Sequence, residues 1–287
     1  MHELIENGAL RGLLHEARLR PRSGRLEILD VGSGTGKWAI WAAAAYNDAE
    51  VTTIDLLPIT GVELQMYPNL HPKSPVDFTE RSWADLRVDS FDLVRLPLLC
   101  GCVPDWPALL RTAFRYLSPG VGQIEMVEFD YTPRSAPKPL PIQSLVFVQW
   151  WEYLKEASNR AGLPMEYRED TERLLEDAGF VDISRKKIRC PYVGHPDDKH
   201  DLDTADWLAN AVRSFEEDDQ RRVLDEDMNA FVALSMSHFT TQFGWSEQVV
   251  KRLCYDVLQT TRPQTTCPRE YPLYHYMYIW TARKPMN

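Results

Sequence analysis

Residues 26–38 read Leu26-Glu27-Ile28-Leu29-Asp30-Val31-Gly32-Ser33-Gly34-Thr35-Gly36-Lys37-Trp38. An apolar run ends near an acid, three glycines follow at alternate positions, and residues that favour a helix come next. This pattern predicts a strand, a tight turn and a helix. Because glycine has no Cβ, the three glycines allow a sharp turn against which a ligand can lie.

A second run rich in β-branched residues predicts a second strand, and an acidic residue follows it. Val51 to Ile54 is followed by Asp55, about nineteen residues after Gly36. In this position a carboxylate can accept hydrogen bonds from both hydroxyls of a ribose. The sequence therefore predicts a nucleoside-binding site for a ligand with a free 2′-hydroxyl, which disfavours NADP.

The glycine spacing separates two kinds of nucleotide site. Dinucleotide-binding folds use Gly-x-Gly-x-x-Gly, with a helix N-terminus facing a pyrophosphate. Here the third glycine comes one residue early, and Lys37 stands at the later position. Asp30 would repel a pyrophosphate but can accept hydrogen bonds from an amino-acid ammonium. S-adenosylmethionine joins a ribose to such an ammonium and is the predicted cofactor; an NAD-linked oxidoreductase and a glycine turn without a ligand are the weaker alternatives.

Composition narrows the class of protein. The 287 residues suffice for one large α/β domain, and the net charge of −10 disfavours a nucleic-acid substrate. No apolar run long enough for a membrane span and no signal peptide is evident, which predicts an intracellular, cytoplasmic protein. The five cysteines show no Cys-x-x-Cys spacing, so we expect free thiols and no metal site.

The first half of the chain alternates between helical and extended patterns. A helix is expected at 4–18, a weak third strand near Val76–Phe78, and a further strand at Phe91–Val94. Asp105 suits the N-cap of the next helix, and Gly122–Phe129 reads as a fifth strand. Such βαβ alternation predicts a mostly parallel sheet with helices on both faces.

The second half of the chain does not continue this alternation of strand and helix patterns. Val181–Ile183 reads as a strand whose partner is the C-terminal Tyr274–Ala282, with helical patterns at 202–219, 221–242 and 246–260 between them. A hairpin connection of this length predicts an inserted helical cap. We expect a single domain over 1–287, with an N-terminal helix at 1–20, a Rossmann-like core at 21–187 and 270–287, and the cap at 188–269.

Several segments together resemble the LaeA-like S-adenosylmethionine-dependent methyltransferases. The resemblance implies a class I methyltransferase fold with a seven-stranded, mostly parallel sheet and a C-terminal β-hairpin. The segments are Asp30–Ile40, Ile54–Ile59, Asp105-Trp106-Pro107, Ala113-Phe114, Leu117–Gly120, Ile124-Glu125, Leu175–Phe180, Gly244-Trp245-Ser246 and Ala282–Pro285.

Two departures from the family pattern concern the cofactor site. Members usually carry a longer N-terminal segment that helps to close it, whereas about 29 residues precede Asp30 here. The acidic pair that usually meets the adenine is absent, and Ser82 and Trp83 are the predicted replacements. The full cofactor-binding prediction is Asp30, Gly32, Ser33, Gly34, Gly36, Trp38, Asp55, Leu56, Ser82, Trp83 and Arg95.

Methyl transfer requires a base only when the nucleophile must lose a proton. Glu128, His275 and His238 are the catalytic candidates. Glu128 lies at the carboxyl end of a predicted strand, where open α/β sheets build their sites. For His238 the alternative is a packed helical histidine, and for His275 a solvent-facing one.

Aromatic side chains in the second half suggest a flat or apolar acceptor. The predicted function is methyl transfer to O or N of a small secondary metabolite. The alternative is a regulator of secondary metabolism that acts through protein partners, with nuclear localisation. Neither function involves a nucleic acid or a membrane. The aromatic residues are Trp150, Trp151, Trp207, Phe239, Phe243, Trp245, Tyr274, Tyr276 and Tyr278.

Overall fold

The computed structural model describes residues 24–60, 64–83, 85–136, 145–193, 195, 197–213, 230–261 and 272–286. The predicted helix at 4–18 and the N-terminal segment 1–20 lie outside these residues. So do Cys267 and the stretch 214–229, which includes the end of the predicted helix at 202–219 and the start of the one at 221–242.

The described residues form alternating strands and helices in the first half and mainly helices in the second. In chain order they are β1 (Leu26–Val31), α1 (Lys37–Ala45), β2 (Ala49–Ile54), a 3₁₀ turn (Leu64–Met66), β3 (Leu70–Lys73), β4 (Leu93–Pro97), α2 (Trp106–Tyr116), β5 (Gln123–Ser135), α3 (Val146–Arg160), α4 (Thr171–Asp177), β6 (Val181–Pro191), α5 (Lys199–Arg213), α6 (Ala230–Phe243), α7 (Glu247–Thr260) and β7 (Leu273–Arg283).

The strands form one seven-stranded sheet in the order β3-β2-β1-β4-β5-β7-β6. Strands β1 to β5 pair in parallel, and β7 runs antiparallel. This confirms the predicted mostly parallel sheet and its C-terminal hairpin of β6 and β7.

The centre of the sheet is apolar on both faces. Ile28 and Leu29 of β1 and Leu93 and Val94 of β4 are completely buried. Parallel strands covered by helices on both faces require such continuous apolar sequences. Helix α1 packs against this core, and its position fixes the turn that follows β1.

The predicted third strand at Val76–Phe78 is wrong. The strand lies at Leu70–Lys73 and pairs with β2 at the edge of the sheet. Pro72 obscured it in the sequence, because proline lacks an N–H and is tolerated in a sheet mainly at an edge. Phe78 instead buries its ring in the following loop.

Other boundaries differ in length. Strand β4 begins and ends later than the predicted Phe91–Val94, and β6 continues well past Ile183 to Pro191. Arg185 and Lys187 hid this extension, because charged side chains on an edge strand break the apolar alternation. Helices α5, α6 and α7 fall within or close to the predicted cap helices.

The C-terminal segment is joined to the loop around residue 120. Lys284 donates a backbone hydrogen bond to Gly122 and accepts one from Gly120. Its ammonium lies 2.6 Å from a carboxylate oxygen of Asp89 and over the ring of Phe114. These contacts give the terminal Arg-Lys-Pro segment a structural role.

The chain divides into two compact units. The first contains the described residues up to Glu128, then Arg168–Lys186 and those from Tyr278 onward; the second contains Phe129–Tyr167 and Lys187–Met277. The predicted division into core and cap stays a prediction. In the part of the chain that is described, no helix has the length and apolar character needed to cross a membrane.

The N-cap of α2 provides a test of local structure. Asp105 Oδ1 accepts a hydrogen bond from the backbone N–H of Ala108 at 2.9 Å, as the sequence predicted. Replacing Asp105 by Ala should lower the free energy of unfolding by about 1 kcal/mol in chemical denaturation. Asp105→Asn, which keeps an acceptor oxygen, should stay close to wild type; equal losses in both variants would contradict the capping role.

Candidate cofactor-binding site

The glycine turn is formed as predicted. Gly32, Gly34 and Gly36 have φ angles of +67°, +55° and +73°. The N–H of Gly32 donates to the carbonyl of Ile54 at 2.8 Å and so joins the turn to the end of β2. Side-chain-bearing residues rarely adopt positive φ, which explains three glycines at alternate positions.

The three glycines have different surroundings. A Cβ on Gly32 would lie 2.7 Å from Leu99 Cδ2, and one on Gly36 would lie 2.3 Å from Ile59 Cδ1. A Cβ on Gly34 would have no described atom within 4 Å. Gly32 and Gly36 therefore allow close packing, whereas Gly34 presents bare main chain to open space.

Asp55 lies directly beside this exposed glycine. Its Oδ2 accepts a hydrogen bond from the N–H of Gly34 at 2.8 Å, and its Oδ1 accepts one from the N–H of Leu57 at 2.9 Å. The predicted ribose-binding acid and the glycine turn thus meet at the carboxyl ends of β1 and β2. The adjacent Leu56 is exposed.

Asp30 does not face open space. Its carboxylate is 1% exposed and accepts a hydrogen bond from Arg95 Nη1 at 3.2 Å. The Nε of Arg95 donates to Glu125 Oε1 at 3.2 Å, and the guanidinium lies 4.4 Å from the centre of the Trp38 ring. Asp30 and Arg95, both predicted to contact the cofactor, pair with each other, and their contact with the cofactor stays a prediction.

Sequence reasoning missed the buried pairing of Glu125 with Arg95. The signal was available only through the sheet register, in which Arg95 stands opposite both Asp30 and Glu125. Burial raises the pKa of Asp30 to about 6; the Arg95 charge and hydrogen bond oppose this rise, while Glu125 and Asp55 add to it.

Two buried polar atoms test whether the turn fits a ligand. Within the described residues, Ser33 Oγ and Trp38 Nε1 are buried and have no hydrogen-bond partner. Buried polar atoms are normally paired, so two unpaired ones within residues 33–38 are compatible with partners supplied by a ligand. Together with Asp55 and Gly34, they fit the polar nucleoside and amino-acid groups of S-adenosylmethionine.

The two residues predicted near the adenine, Ser82 and Trp83, differ in their exposure to solvent. Trp83 is completely buried, its ring stacks on Tyr116 at 4.9 Å, and its Nε1 donates to the carbonyl of Phe78. The Trp83 ring is therefore enclosed by protein atoms, and its predicted contact with adenine is not supported by an exposed face. Ser82 is exposed and remains a predicted contact.

Glu128 is engaged by the chain itself. Its carboxylate is 3% exposed and accepts hydrogen bonds from the N–H groups of Leu99 and Cys100 at 2.8 and 3.2 Å. Burial raises its pKa to about 7, and hydrogen bonds from Cys100 and Leu99 oppose this rise.

His275 lies in the second unit and is 2% exposed. Its Nδ1 is 3.3 Å from the carbonyl of Thr132, and its Nε2 is 2.9 Å from the hydroxyl of Tyr192. A neutral ring satisfies both contacts when Nδ1 donates and Nε2 accepts from the tyrosine. Burial lowers the pKa of His275 to about 4.

The third catalytic candidate, His238, is less enclosed. His238 is half-buried on α6, and burial lowers its pKa.

Cys100, Cys102, Cys190 and Cys254 are free thiols. The described residues contain no group of three or more histidine, cysteine, aspartate or glutamate side chains that could hold a metal ion.

Comparison with known proteins identifies related sequences. Residues 2–185 match a family model described as a methyltransferase domain. The secondary metabolism regulator LAE1 of Cochliobolus heterostrophus is 35% identical over 285 residues, which cover 97% of this chain and 83% of that protein.

Two further relatives carry related names. The secondary metabolism regulator laeA of Aspergillus flavus is 36% identical over 93% of this chain, which spans 65% of its length. The protein-methionine methyltransferase laeA of Emericella nidulans is 33% identical over 93% of this chain, which spans 64% of its length.

Solved structures share the fold at low sequence identity. Phosphoethanolamine N-methyltransferase 2 of Haemonchus contortus, solved with S-adenosyl-L-methionine, matches 96% of this chain and 52% of that chain with a TM-score of 0.52 and 15% identity. The YcgJ protein of Bacillus subtilis matches 99% of both chains with a TM-score of 0.52 and 10% identity. These matches support the fold alone.

Gly34→Ala tests the cofactor role of the turn. The new methyl group would enter the space beside Asp55, so the affinity for S-adenosylhomocysteine should fall at least tenfold, by roughly 1.4 kcal/mol or more. Gly24→Ala is the matched control, because Gly24 also has positive φ and no described atom within 4 Å of a built Cβ.

Both glycine variants should lose about 1 kcal/mol of stability from backbone strain. Calorimetric titration and chemical denaturation measure the two quantities separately. Unchanged affinity in Gly34→Ala, or an equal loss in Gly24→Ala, would contradict ligand binding at the turn.

The buried histidine predicts a pH dependence of folding. The folded-state pKa of His275 is lowered, so between about pH 6.5 and pH 4 the unfolded chain binds a proton that the folded chain does not. The stability contributed by neutral His275 should be lost across this range, by up to about 3 kcal/mol.

Denaturation of wild type and His275→Gln at several pH values isolates this effect, because the buried carboxyl groups act equally in both proteins. The difference in unfolding free energy between them should shrink as the pH falls. His195→Gln, at an exposed position, is the control, and the difference in unfolding free energy between it and wild type should not change with pH. A constant difference for His275→Gln as well would show that His275 titrates alike in both states.

Proposed function

The chain belongs to the LaeA-like S-adenosylmethionine-dependent methyltransferases, and on this premise we propose that it regulates secondary metabolism by methylating a protein. One observation carries the proposal: the 35% identity to a secondary metabolism regulator extends over 97% of this chain and 83% of the regulator. The regulatory alternative is therefore better supported than methylation of a small metabolite.

The proposed acceptor is the thioether of a methionine in a protein. The Emericella nidulans relative is named a protein-methionine methyltransferase, which motivates this choice. A thioether sulfur accepts a methyl group through a lone pair and becomes a sulfonium, so no proton must be removed. Such an acceptor requires alignment and exclusion of water rather than a base.

The state of two of the three predicted bases, Glu128 and His275, supports a reaction without proton transfer. Both oxygens of Glu128 accept hydrogen bonds from the backbone, and both nitrogens of His275 have partners within their own unit. A base must reach the proton that it removes. An acceptor that releases no proton is compatible with these enclosed groups.

Residues of the first unit would hold the methyl donor. S-adenosylmethionine supplies a methyl group on a positively charged sulfur. Asp55 would bind the ribose hydroxyls, Gly34 would let the ligand approach the main chain, and Ser33 and Trp38 would offer their unpaired polar atoms. Asp30 and Arg95 would maintain the turn from below.

The aromatic residues give little support to a small flat acceptor. Trp150, Trp151 and Phe239 are buried in the second unit, where they pack with other rings. Such side chains form a core rather than a pocket wall. The side chain of Trp207 lies outside the described residues.

Transfer of a labelled methyl group tests the proposed acceptor. The purified chain is incubated with S-adenosylmethionine labelled in its methyl group and with fungal extract separated into protein and small-molecule fractions. We expect label in protein, recovered as S-methylmethionine after enzymatic digestion. Label confined to the small-molecule fraction would contradict the proposal and favour the biosynthetic function.

Asp55→Ala should abolish labelling, because the ribose-binding carboxylate is lost. Asp48→Ala is the matched control, since Asp48 is an exposed aspartate in the turn before β2. Equal labelling by the two variants would place cofactor binding elsewhere.

A further inference from the structure

We propose that Glu128 is a positioning residue, whose carboxylate holds the turn at Leu98–Cys102 so that Leu99 supports the glycine turn of the cofactor site. The proposal concerns the cofactor site of the family and does not depend on which acceptor is methylated. It assigns Glu128 a role different from the catalytic base predicted from the sequence.

Both oxygens of the Glu128 carboxylate accept hydrogen bonds from the backbone. Oε1 accepts from the N–H of Leu99 at 2.8 Å, and Oε2 accepts from the N–H of Cys100 at 3.2 Å. The Cys100 thiol is hydrogen-bonded to the same carboxylate. Consecutive N–H groups directed at one anion form a concave binding site for negative charge. Glu128 fills this site from the neighbouring strand β5.

The turn at Leu98–Cys102 contains a residue in a strained backbone conformation. Leu98 has a φ of +53° and an exposed side chain, and its N–H donates to the carbonyl of Val127 at 2.6 Å. A bulky residue at positive φ is strained and persists only where surrounding contacts hold it. The bond to Val127 and the two bonds to Glu128 supply such contacts.

Leu99 connects this turn to the cofactor site. Leu99 is buried, and its Cδ2 lies so close to Gly32 that a Cβ there would be 2.7 Å away. Leu99 therefore packs directly against the first glycine of the turn. Without the hydrogen bonds to Glu128, the turn at Leu98–Cys102 would no longer hold Leu99 against Gly32, where the Leu99 and Phe78 side chains provide the nearest atoms to a built Cβ.

The charge of Glu128 matters to this anchor. The thiol of Cys100 is hydrogen-bonded to Glu128, and the charge of Glu128 acts on the thiols of Cys100 and Cys102. Arg168 also acts on Cys100, and Asp55 acts on Cys102. An ionised carboxylate accepts from both N–H groups, whereas a protonated one turns an O–H towards one of them. Because burial raises the pKa of Glu128 to about 7, the anchor should weaken as the pH falls through neutrality.

The test compares Glu128→Gln with wild type and with Glu176→Gln, an exposed carboxyl-to-amide change on α4. Glutamine offers one acceptor oxygen and places an NH₂ group against the other backbone N–H. Hydrogen exchange of the amides at 98–102, alkylation of Cys100 and calorimetric titration with S-adenosylhomocysteine are measured between about pH 6 and pH 8.

In Glu128→Gln we expect faster exchange at 98–102, alkylation of Cys100, and an affinity for S-adenosylhomocysteine lowered about tenfold. The affinity of wild type should fall more steeply below neutral pH than that of the variant, because Asp30, whose pKa is about 6, titrates in both proteins and Glu128 only in wild type. Glu176→Gln should match wild type. If exchange and affinity are unchanged and only turnover falls, the carboxylate acts on the acceptor and the positioning role is refuted.

Glu128→Asp provides a second variant should the glutamine variant fail to fold. Its shorter side chain keeps the charge but cannot reach both N–H groups at the observed geometry, so exchange and affinity should change in the same direction by a smaller factor. Wild-type exchange and affinity for Glu128→Asp would refute the proposal. The exchange measurement needs neither ligand nor acceptor, so it tests the anchor even if the proposed function fails.

Discussion

The buried pairing of Arg95 with Asp30 and Glu125 is the constraint on which the cofactor site depends. The register of three adjacent parallel strands places these residues side by side, and Trp38 covers the guanidinium. Two carboxylates and one cation in a desolvated interior are stable only together, and removal of one partner from such a group typically costs about 3–5 kcal/mol. The pairing therefore ties the register of β1, β4 and β5 to the position of the turn after β1.

The site follows from that register. The chain leaves β1 towards β2 and β3, and returns on the other side of β1 as β4. In open α/β sheets, ligands bind where the strand order reverses, outside the carboxyl ends of the strands. The glycine turn, Asp55 and the turn after β4 all lie at this point. Gly32 packs between Phe78 and Leu99, so elements distant in sequence share one surface.

The local features were readable from the sequence because each depends on few neighbouring residues. The glycine turn, Asp55 at the end of β2 and the Asp105 cap are of this kind. The partners of Asp30 were not readable, because they depend on strand register. The enclosure of Trp83 also escaped prediction, since Tyr116 lies 33 residues away. Strand β3 was misplaced because an edge strand tolerates the proline that usually argues against a strand.

Calorimetric titration of the wild-type chain with S-adenosylmethionine, S-adenosylhomocysteine and NAD tests the account most directly. Asp55 lies beside bare main chain at Gly34, and the glycine spacing departs from that of dinucleotide-binding folds. The account therefore predicts micromolar binding of the first two ligands and none of NAD. Binding of NAD, or no binding of either S-adenosyl compound, would contradict the assignment of the glycine turn as a methyl-donor site.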